Sequence, residues 1–145
     1  MGYKAQATGE WASAVGPDAK AISNYSVAMG NNANASANQT IAIGRYANAS
    51  KENAIALGYN AQANTKDGDI ALGNGSITAL QHDASTFILN GKNIATSFVQ
   101  GSDQGVFSIG NSTVNRQIQN VGAGNITADS SDAINGSQLY HVATE

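Results

Sequence analysis

Large and small apolar residues alternate at regular intervals along the first half of the chain. In Ile41-Ala42-Ile43 two large side chains flank a small one, and Gly44 follows. Ala47 and Ala49 come three and five residues after that glycine. The pattern recurs every 14 residues, anchored on Gly2, Gly16, Gly30, Gly44 and Gly58, and once more at Gly73 after a step of 15. A fixed period held over five units predicts a repeat architecture in which neighbouring units stack.

Each unit is too short for the helix pairs of α-solenoids, whose periods exceed roughly 30 residues. It suffices for two short strands and two turns, with residues 41–43 and 47–49 as strands. Gly44 then marks the turn between them, where a positive φ is tolerated best by glycine. The two walls of such a coil lie close together, so that only small side chains such as alanine fit between them. The sequence therefore predicts an all-β fold, a parallel β-roll.

The large apolar residues of the first strand point away from this alanine interior, because successive strand residues face opposite sides. Stacked coils would join them into a continuous apolar ridge of a kind that monomers avoid. We therefore expect an obligate oligomer, closed by symmetry, that buries this ridge. The predicted interface residues in the coils are Val27, Met29, Ile41, Ile43, Ile55, Leu57, Ile70 and Leu72.

The second strand of each coil carries a polar residue between its alanines. These residues are Gln6, Lys20, Asn34, Asn48 and Gln62, which predicts a polar ladder facing water. Aromatic residues lie close to the predicted turns at Tyr3, Tyr25, Tyr46 and Tyr59. The sequence leaves two interpretations of them open, packing at the coil edges and contact with a partner.

The regular pattern changes after Gly73, where Ser76 and Thr78 replace the alanines. Residues 79–105 match no simple repeat, although residues 86–91 and 93–99 have the composition of two strands. Phe107-Ser108-Ile109-Gly110 returns to the repeat pattern and predicts one more coil. We divide the chain into β-roll repeats at 2–78, an irregular segment with strands and a last coil at 79–115, and two C-terminal segments at 116–140 and 141–145.

The C-terminal segment predicts a helix. Asp129 is a candidate N-cap, and Asp132 would be favourable near the positive end of the helix. Ile134, Leu139 and Val142 can begin an apolar seam for a coiled coil, which adds Ile134 and Leu139 to the predicted interface residues. Gly136 inside that helix would cost roughly 1 kcal/mol relative to alanine.

The composition argues against several classes of function. A net charge of −3 leaves no basic footprint for nucleic acid. The chain has no cysteine, and its two histidines, His82 and His141, accompany no nucleophile-elbow or phosphate-loop motif. No run reaches the roughly 20 apolar residues of a membrane helix. We expect neither an enzyme nor a protein that carries a cofactor or a metal ion.

The 14-residue units resemble the head repeats of trimeric autotransporter adhesins of the YadA type. Residues 116–140, with Asp132-Ala133-Ile134-Asn135-Gly136-Ser137-Gln138-Leu139-Tyr140, resemble the neck that joins such a head to its stalk. Gly122 departs from the pattern, because the family more often has alanine there. The resemblance implies a homotrimer of left-handed parallel β-rolls whose neck leads into an α-helical coiled coil. It makes residues 2–78 the head, 79–115 an irregular lower head, 116–140 the neck and 141–145 the start of the coiled-coil stalk.

The same resemblance implies a function. Such proteins sit on the bacterial cell surface, anchored in the outer membrane by a C-terminal segment absent from this sequence. They attach to host extracellular matrix proteins of the collagen, fibronectin or laminin class, or to host cell receptors. The alternative is a structural spacer of a trimeric surface or phage fibre that has no ligand of its own.

Overall fold

The computed structural model describes residues 1–81, 88–89, 91–93, 104–127 and 130–144. The chain forms two compact units, one of Met1–His82 with Ser102–Arg116 and the other of Asp83–Gly101 with Gln117–Glu145. His82, Asp129 and most of the two strands expected between residues 86 and 99 lie outside the described residues, so those expectations stay predictions.

The first unit consists of short strands that alternate between two parallel sheets. The strands are β1 (Gln6–Ala7), β2 (Ser13–Val15), β3 (Lys20–Ala21), β4 (Val27–Met29), β5 (Asn34–Ala35), β6 (Ile41–Ile43), β7 (Asn48–Ala49), β8 (Ile55–Leu57), β9 (Gln62–Ala63) and β10 (Ile70–Leu72). The odd-numbered strands from β1 to β9 form a five-stranded sheet, and the even-numbered ones from β2 to β10 form another. Each coil therefore contributes one strand to each sheet, as the repeat predicts.

The coils stack in strict register. Within the even-numbered sheet Ile41 pairs with Ile55 and Ala42 with Ala56, one repeat later. The alanines lie inside, and those from Ala19 to Ala71 that form the core have no exposed surface. The predicted alanine interior is confirmed, and side chains of this size explain how the two sheets can lie so close together.

Each coil turns at two places with left-handed backbone. Gly44 has φ 128°, and a Cβ placed on it would lie 2.4 Å from the carbonyl oxygen of Gly58. Glycine is therefore needed both for the backbone angle and for the close approach of the next coil. Non-glycine residues with φ between 52° and 61° recur every seven residues, at Lys4, Trp11, Asp18, Tyr25, Asn32, Gln39, Tyr46, Asn53 and Asn60.

The first unit ends with one further stacked strand. β13 (Phe107–Ser108) pairs in parallel with β10, with Ser108 opposite Ala71, as the returning repeat pattern predicts. In the earlier coils the anchor glycine packs against the glycine backbone of the next coil. At Gly73 the guanidinium of Arg116 occupies that place, and its Cζ lies 3.2 Å from where a Cβ on Gly73 would be. This guanidinium donates to the hydroxyl of Ser76 at 3.1 Å and to the carbonyls of Asn74 and Ile109. Arg116 thus closes the end of the stack.

The second unit holds a short antiparallel pair and one helix. β11 (Ile88–Leu89) pairs with β12 (Lys92–Asn93), and α1 spans Gly136–Thr144. Asn135 caps this helix, because its Oδ1 accepts from the Gln138 amide at 3.1 Å, while Gln138 Oε1 accepts from the Asn135 amide at 3.2 Å. This reciprocal pair is a capping box.

The expected helix start was wrong. The helix begins at Gly136 and its cap is Asn135, so it starts several residues later than expected. Gly136 is the first helical residue, so the cost of a glycine in a helix interior does not apply to it. Asn135 makes a better cap than Asp132 because Gln138, three residues after Asn135, accepts a hydrogen bond from its amide.

Side chains of the helix start also bind the preceding neck segment. Gln138 accepts from the Gly124 amide at 2.9 Å and donates to the Gly124 carbonyl at 2.7 Å. Asn135 Nδ2 donates to the carbonyl of Val121 at 3.0 Å, and Asp132 accepts from the Asn125 amide at 2.9 Å. The extended neck strand therefore folds back along the residues that start the helix.

Candidate interaction surface

The outward face of the even-numbered sheet carries the apolar ridge. We define the ridge as the predicted coil residues from Val27 to Leu72 together with Phe107 and Ile109. Met29, Leu57 and Leu72 are 41%, 40% and 40% exposed, and the isoleucines are half-buried among their column neighbours. Parallel pairing aligns these side chains in two columns, one headed by Val27 and the other by Met29. The large side chains face away from the alanine core, as the alternation predicts.

The second unit exposes its own apolar residues. Ile134 and Leu139 are 54% and 63% exposed. Ile134 lines a groove of about 470 Å³ together with Ile118 and Val121, whereas Leu139 lies on the helix. Ile134 precedes the helix, so it cannot share the helical seam expected for it. Whether these two residues contact other chains stays a prediction.

The outward face of the odd-numbered sheet is a ladder of amides. Asn34 donates to Asn48 at 2.8 Å, and Asn48 donates to Gln62 at 3.2 Å. Parallel register places Gln6 and Lys20 in the same column. The predicted polar ladder therefore exists as a hydrogen-bonded chain, on the sheet opposite to the ridge.

Aromatic and cationic residues cluster at the turns. The guanidinium carbon of Arg45 lies 4.7 Å from the ring centre of Tyr46 and 6.0 Å from that of Tyr59. Arg45 also donates to the Tyr46 hydroxyl at 3.2 Å, and this bond is the main reason that the pKa of Arg45 is raised. At the other turn the rings of Trp11 and Tyr25 stack with centres 5.0 Å apart. All of these side chains are exposed.

One carboxylate lies inside the coil, at a position where other coils have small residues. Asp69 occupies the place of Ser26, Thr40 and Ala54, and it is fully buried. Its oxygens accept from the amides of Thr65, Lys66 and Val106 and from the hydroxyl of Thr78. Burial alone would raise the pKa of Asp69, but these hydrogen bonds together lower it below its usual value.

The described residues contain no cluster of three or more His, Cys, Asp or Glu side chains arranged to hold a metal ion. None of the helices in the described part of the chain is long and apolar enough to cross a membrane. His141 lies on the exposed helix beside the ring of Tyr140, with centres 5.8 Å apart.

Family models account for both units. The model for the YadA head domain repeat matches residues 7–33, 21–47 and 49–76. The model for the coiled stalk of trimeric autotransporter adhesins matches residues 117–145. Together these matches cover more than half of the chain. The chain belongs to the trimeric autotransporter adhesins.

Individual relatives agree with this membership. This adhesin is 42% identical over 78 residues to the autotransporter adhesin BtaE of Brucella suis biovar 1 (strain 1330). The match covers 54% of the chain but 10% of BtaE, so the chain spans a small part of that relative. The crystal structure of the collagen-binding domain of the Yersinia adhesin YadA is similar in fold, with a TM-score of 0.63 and 24% identity. That likeness covers 100% of this chain and 74% of the YadA domain.

The sequence pattern locates the ridge and the polar ladder of this adhesin but misses three features. Asp69 stands one residue before a strand, a place where the repeat pattern marks no inward position. Arg116 reads as the first neck residue, although its side chain closes the head. The sequence does not reveal the left-handed backbone of Tyr46, because aromatic residues rarely adopt a positive φ. The available signal was that four of the nine equivalent turn positions hold Asn or Asp, namely Asp18, Asn32, Asn53 and Asn60.

Proposed function

We propose that this chain forms the head and neck of a bacterial surface adhesin that attaches to host matrix proteins or host cells. The observation that carries the proposal is the difference between the two outward faces of each coil. One face is the apolar ridge, and the other is the amide ladder from Asn34 to Gln62. Such a coil suits an assembly that buries one wall and presents the other.

The ridge is the surface by which three copies would assemble. Apolar columns over the five strands β4, β6, β8, β10 and β13 make a patch that needs a partner. A closed threefold arrangement covers the same patch on each copy without leaving a free end that would promote fibres. Family membership favours the trimer. Ile134 and Leu139 would continue the contact into the neck and stalk.

The polar wall and the turns would then face the host. Equivalent sites repeat in every coil and again in each of three chains, so weak contacts can add through avidity. The solved YadA domain with a similar fold is a collagen-binding domain, which favours matrix proteins as ligands. Family membership also supports a location on the bacterial outer membrane surface.

Binding of the purified protein to surfaces coated with collagen, fibronectin, laminin or cultured host cells tests this proposal. We expect saturable binding to at least one of these surfaces, at a level above that on albumin-coated wells. A trimer that binds none of them would contradict the adhesive role and favour the spacer function.

A further inference from the structure

The two edges of the first unit carry side chains that match coil by coil. We define the first tip of a coil as the two residues after its anchor glycine, and the second tip as the two residues at the opposite turn. An acidic residue occupies the second tip in three coils, at Glu10, Glu52 and Asp67. The first tips of the same three coils hold side-chain donors, namely Tyr3 with Lys4, Arg45 with Tyr46, and Tyr59 with Asn60.

The other two coils show the converse pattern. Their second tips are neutral, with Asn24 and Tyr25 in one coil and Asn38 and Gln39 in the next. Their first tips carry no cation and consist of Pro17 with Asp18 and of Asn31 with Asn32. A cation at one tip therefore occurs only where the other tip of the same coil is acidic. No ion pair joins the two tips of a coil within the described part of the chain, so the fold of one chain does not explain this agreement.

Arg45 and Glu52 are the clearest matched pair. Both side chains are exposed, and neither has an oppositely charged partner among the described residues. Both are nevertheless held in place. Arg45 lies over the ring of Tyr46 and donates to its hydroxyl at 3.2 Å, while Glu52 Oε1 accepts from Asn38 Nδ2 at 3.2 Å. An ion pair between two side chains that are already ordered loses less conformational entropy than an ordinary surface pair.

We propose that the first tips of one copy contact the second tips of the next copy, with Arg45 paired to Glu52 of the partner subunit. This inference rests on the trimer proposed above. The face that carries the ridge is three strand residues wide, or about 10 Å, so three such faces turned towards one axis bring their edges together. A cyclic arrangement joins unlike edges, because rotation carries the first tip of each copy towards the second tip of its neighbour. The tips then form the seams between copies.

Symmetry also sets the two side chains at nearly the same level. With the coils stacked along the threefold axis, equivalent residues of the three copies lie at equal heights. Arg45 and Glu52 are half a coil apart in sequence, which is roughly 2.4 Å of height when a coil rises roughly 4.8 Å. Side chains as long as arginine and glutamate span that offset. A ligand lying along one edge would not require the tips to match coil by coil, whereas contact between copies does.

The same geometry gives partners to two further acidic residues. In the first coil Lys4 and Glu10 stand at opposite tips, and both are exposed. In the fifth coil the Tyr59 hydroxyl faces Asp67 of the partner subunit. Asp67 belongs to the second-tip column because it accepts from the Glu52 amide at 3.0 Å, as Asn24 accepts from the Glu10 amide. The seam therefore holds charged or polar contacts at several levels of the stack.

Reversal of the two charges tests the pairing. The variants are Arg45→Glu, Glu52→Arg and the two together, and the trimer mass is followed by sedimentation equilibrium over a dilution series. We expect each single variant to raise the concentration of half-dissociation by at least about tenfold, because three ion pairs are lost and like charges face each other. The double variant should return it to within about twofold of the wild type. Lys20→Glu, an equal charge reversal on the outer polar wall, should leave it unchanged.

A double variant as weak as the single ones would overturn the inference, since it would show that the two residues act separately. Four variants with the dissociation of the wild type would overturn it as well, unless none of the proteins dissociates at any dilution. In that case cross-linking decides.

The cross-linking experiment uses the absence of cysteine from the chain. Arg45→Cys with Glu52→Cys places one thiol at each tip of one coil, and a short bismaleimide should join the copies into covalent dimers and trimers on a denaturing gel. The matched control is Arg45→Cys with Glu10→Cys, in which the second thiol lies three coils, or about 14 Å, away along the stack. A linker shorter than that distance should leave the control monomeric. Equal cross-linking of the two variants, or none in either, would refute the seam.

The outcomes separate this inference from the proposed function. A wild-type trimer that ignores the charge reversals and forms no cross-link would refute the contact between tips and leave the trimer and the adhesive function standing. A wild type that is a monomer at every concentration would remove the trimer and this inference with it. Saturable binding of that monomer to a matrix protein would still support adhesion.

Discussion

The carboxylate of Asp69 accepts a 2.6 Å hydrogen bond from the hydroxyl of Thr78, nine residues later. The same carboxylate accepts from the amide of Val106 at 3.0 Å. Thr78 and Val106 stand on either side of the segment that departs from the repeat. One buried side chain therefore fixes both the place where the chain leaves the stack and the place where it returns.

Replacement of Asp69 by alanine should destabilise the first unit strongly. It removes an ionised acceptor from the amides of Thr65 and Val106 and from the Thr78 hydroxyl, and bonds to charged groups are each worth about 1.5–3 kcal/mol. We expect the free energy of unfolding to fall by roughly 3 kcal/mol or more, measured by denaturant titration. Thr40→Ala is the control, because Ala54 occupies the same position and the loss should be about 1 kcal/mol. Equal losses in the two variants would contradict this role of Asp69.

The stability should also depend on pH through Asp69. Because the folded-state pKa of Asp69 lies below its usual value of 3.8, the folded form binds the proton less readily than the unfolded chain does. The stabilisation is therefore complete above the unfolded pKa and is lost as the pH falls through the folded one. We expect the difference in unfolding free energy between wild type and Asp69→Asn to be constant above about pH 5 and to shrink below about pH 4. A difference that grows on acidification would refute the assignment.

Gly44→Ala should disrupt the stacking of the coils. The added Cβ would lie 2.4 Å from the Gly58 carbonyl oxygen, in backbone with φ 128°. We expect a loss of about 3 kcal/mol or more, or a failure to fold, seen as a lower Tm. Gly122→Ala is the matched control, because a Cβ there meets nothing within 4 Å, and its effect should stay within roughly 0.5 kcal/mol. If Gly44→Ala had the same Tm as the control, the close approach of neighbouring coils at Gly44 would not be needed for stability.

Arg116→Lys should loosen the end of the head. Lysine keeps the charge but lacks the planar fork that reaches Ser76, Asn74 and Ile109 together. We expect amide hydrogen exchange of residues 73–78 to rise by about tenfold, while exchange near Ala42 is unchanged. Lys20→Ala, on the exposed polar face, serves as the control. Unaltered exchange in the last coil would mean that Arg116 does not hold it closed.

Ile43→Lys tests the role of the ridge. A charge at the centre of the proposed threefold contact would have to be buried without a partner, which costs several kcal/mol. We expect the mass in solution to fall from about three times 14.8 kDa towards that of one chain. Asn48→Lys, on the opposite wall where Lys20 already stands, should leave the mass unchanged. A wild type that is a stable monomer on dilution would remove the basis of the trimer proposal.

The repeat itself was predictable because period and side-chain size are visible in the sequence. The alternation in Ile41-Ala42-Ile43 suffices to place alanine inside and isoleucine outside, since strand geometry leaves no other choice. The recurrence of the pattern at Phe107 also gave the strand that pairs with β10. These features depend on residues close together in the chain.

The missed features depend on partners that are far apart or on competition between local caps. Asp69 finds Val106 across 37 residues, and Arg116 finds Asn74 across 42. The helix start was misplaced because Asp129, Asp132 and Asn135 are all acceptable caps by residue type. The hydrogen bond that Gln138 Oε1 accepts from the Asn135 amide identifies Asn135 as the cap. Whether the ridge, Ile134 and Leu139 contact other chains remains a proposal.

The strict register of the coils bears on how such a head can change over generations. Each coil is hydrogen-bonded to the one before and the one after, and the column from Gln6 to Gln62 keeps its register from coil to coil. An in-frame duplication or deletion of one repeat between Gly30 and Gly44 would leave every remaining interface intact. Recombination that adds or removes whole repeats would therefore lengthen or shorten the stack of coils without a new fold.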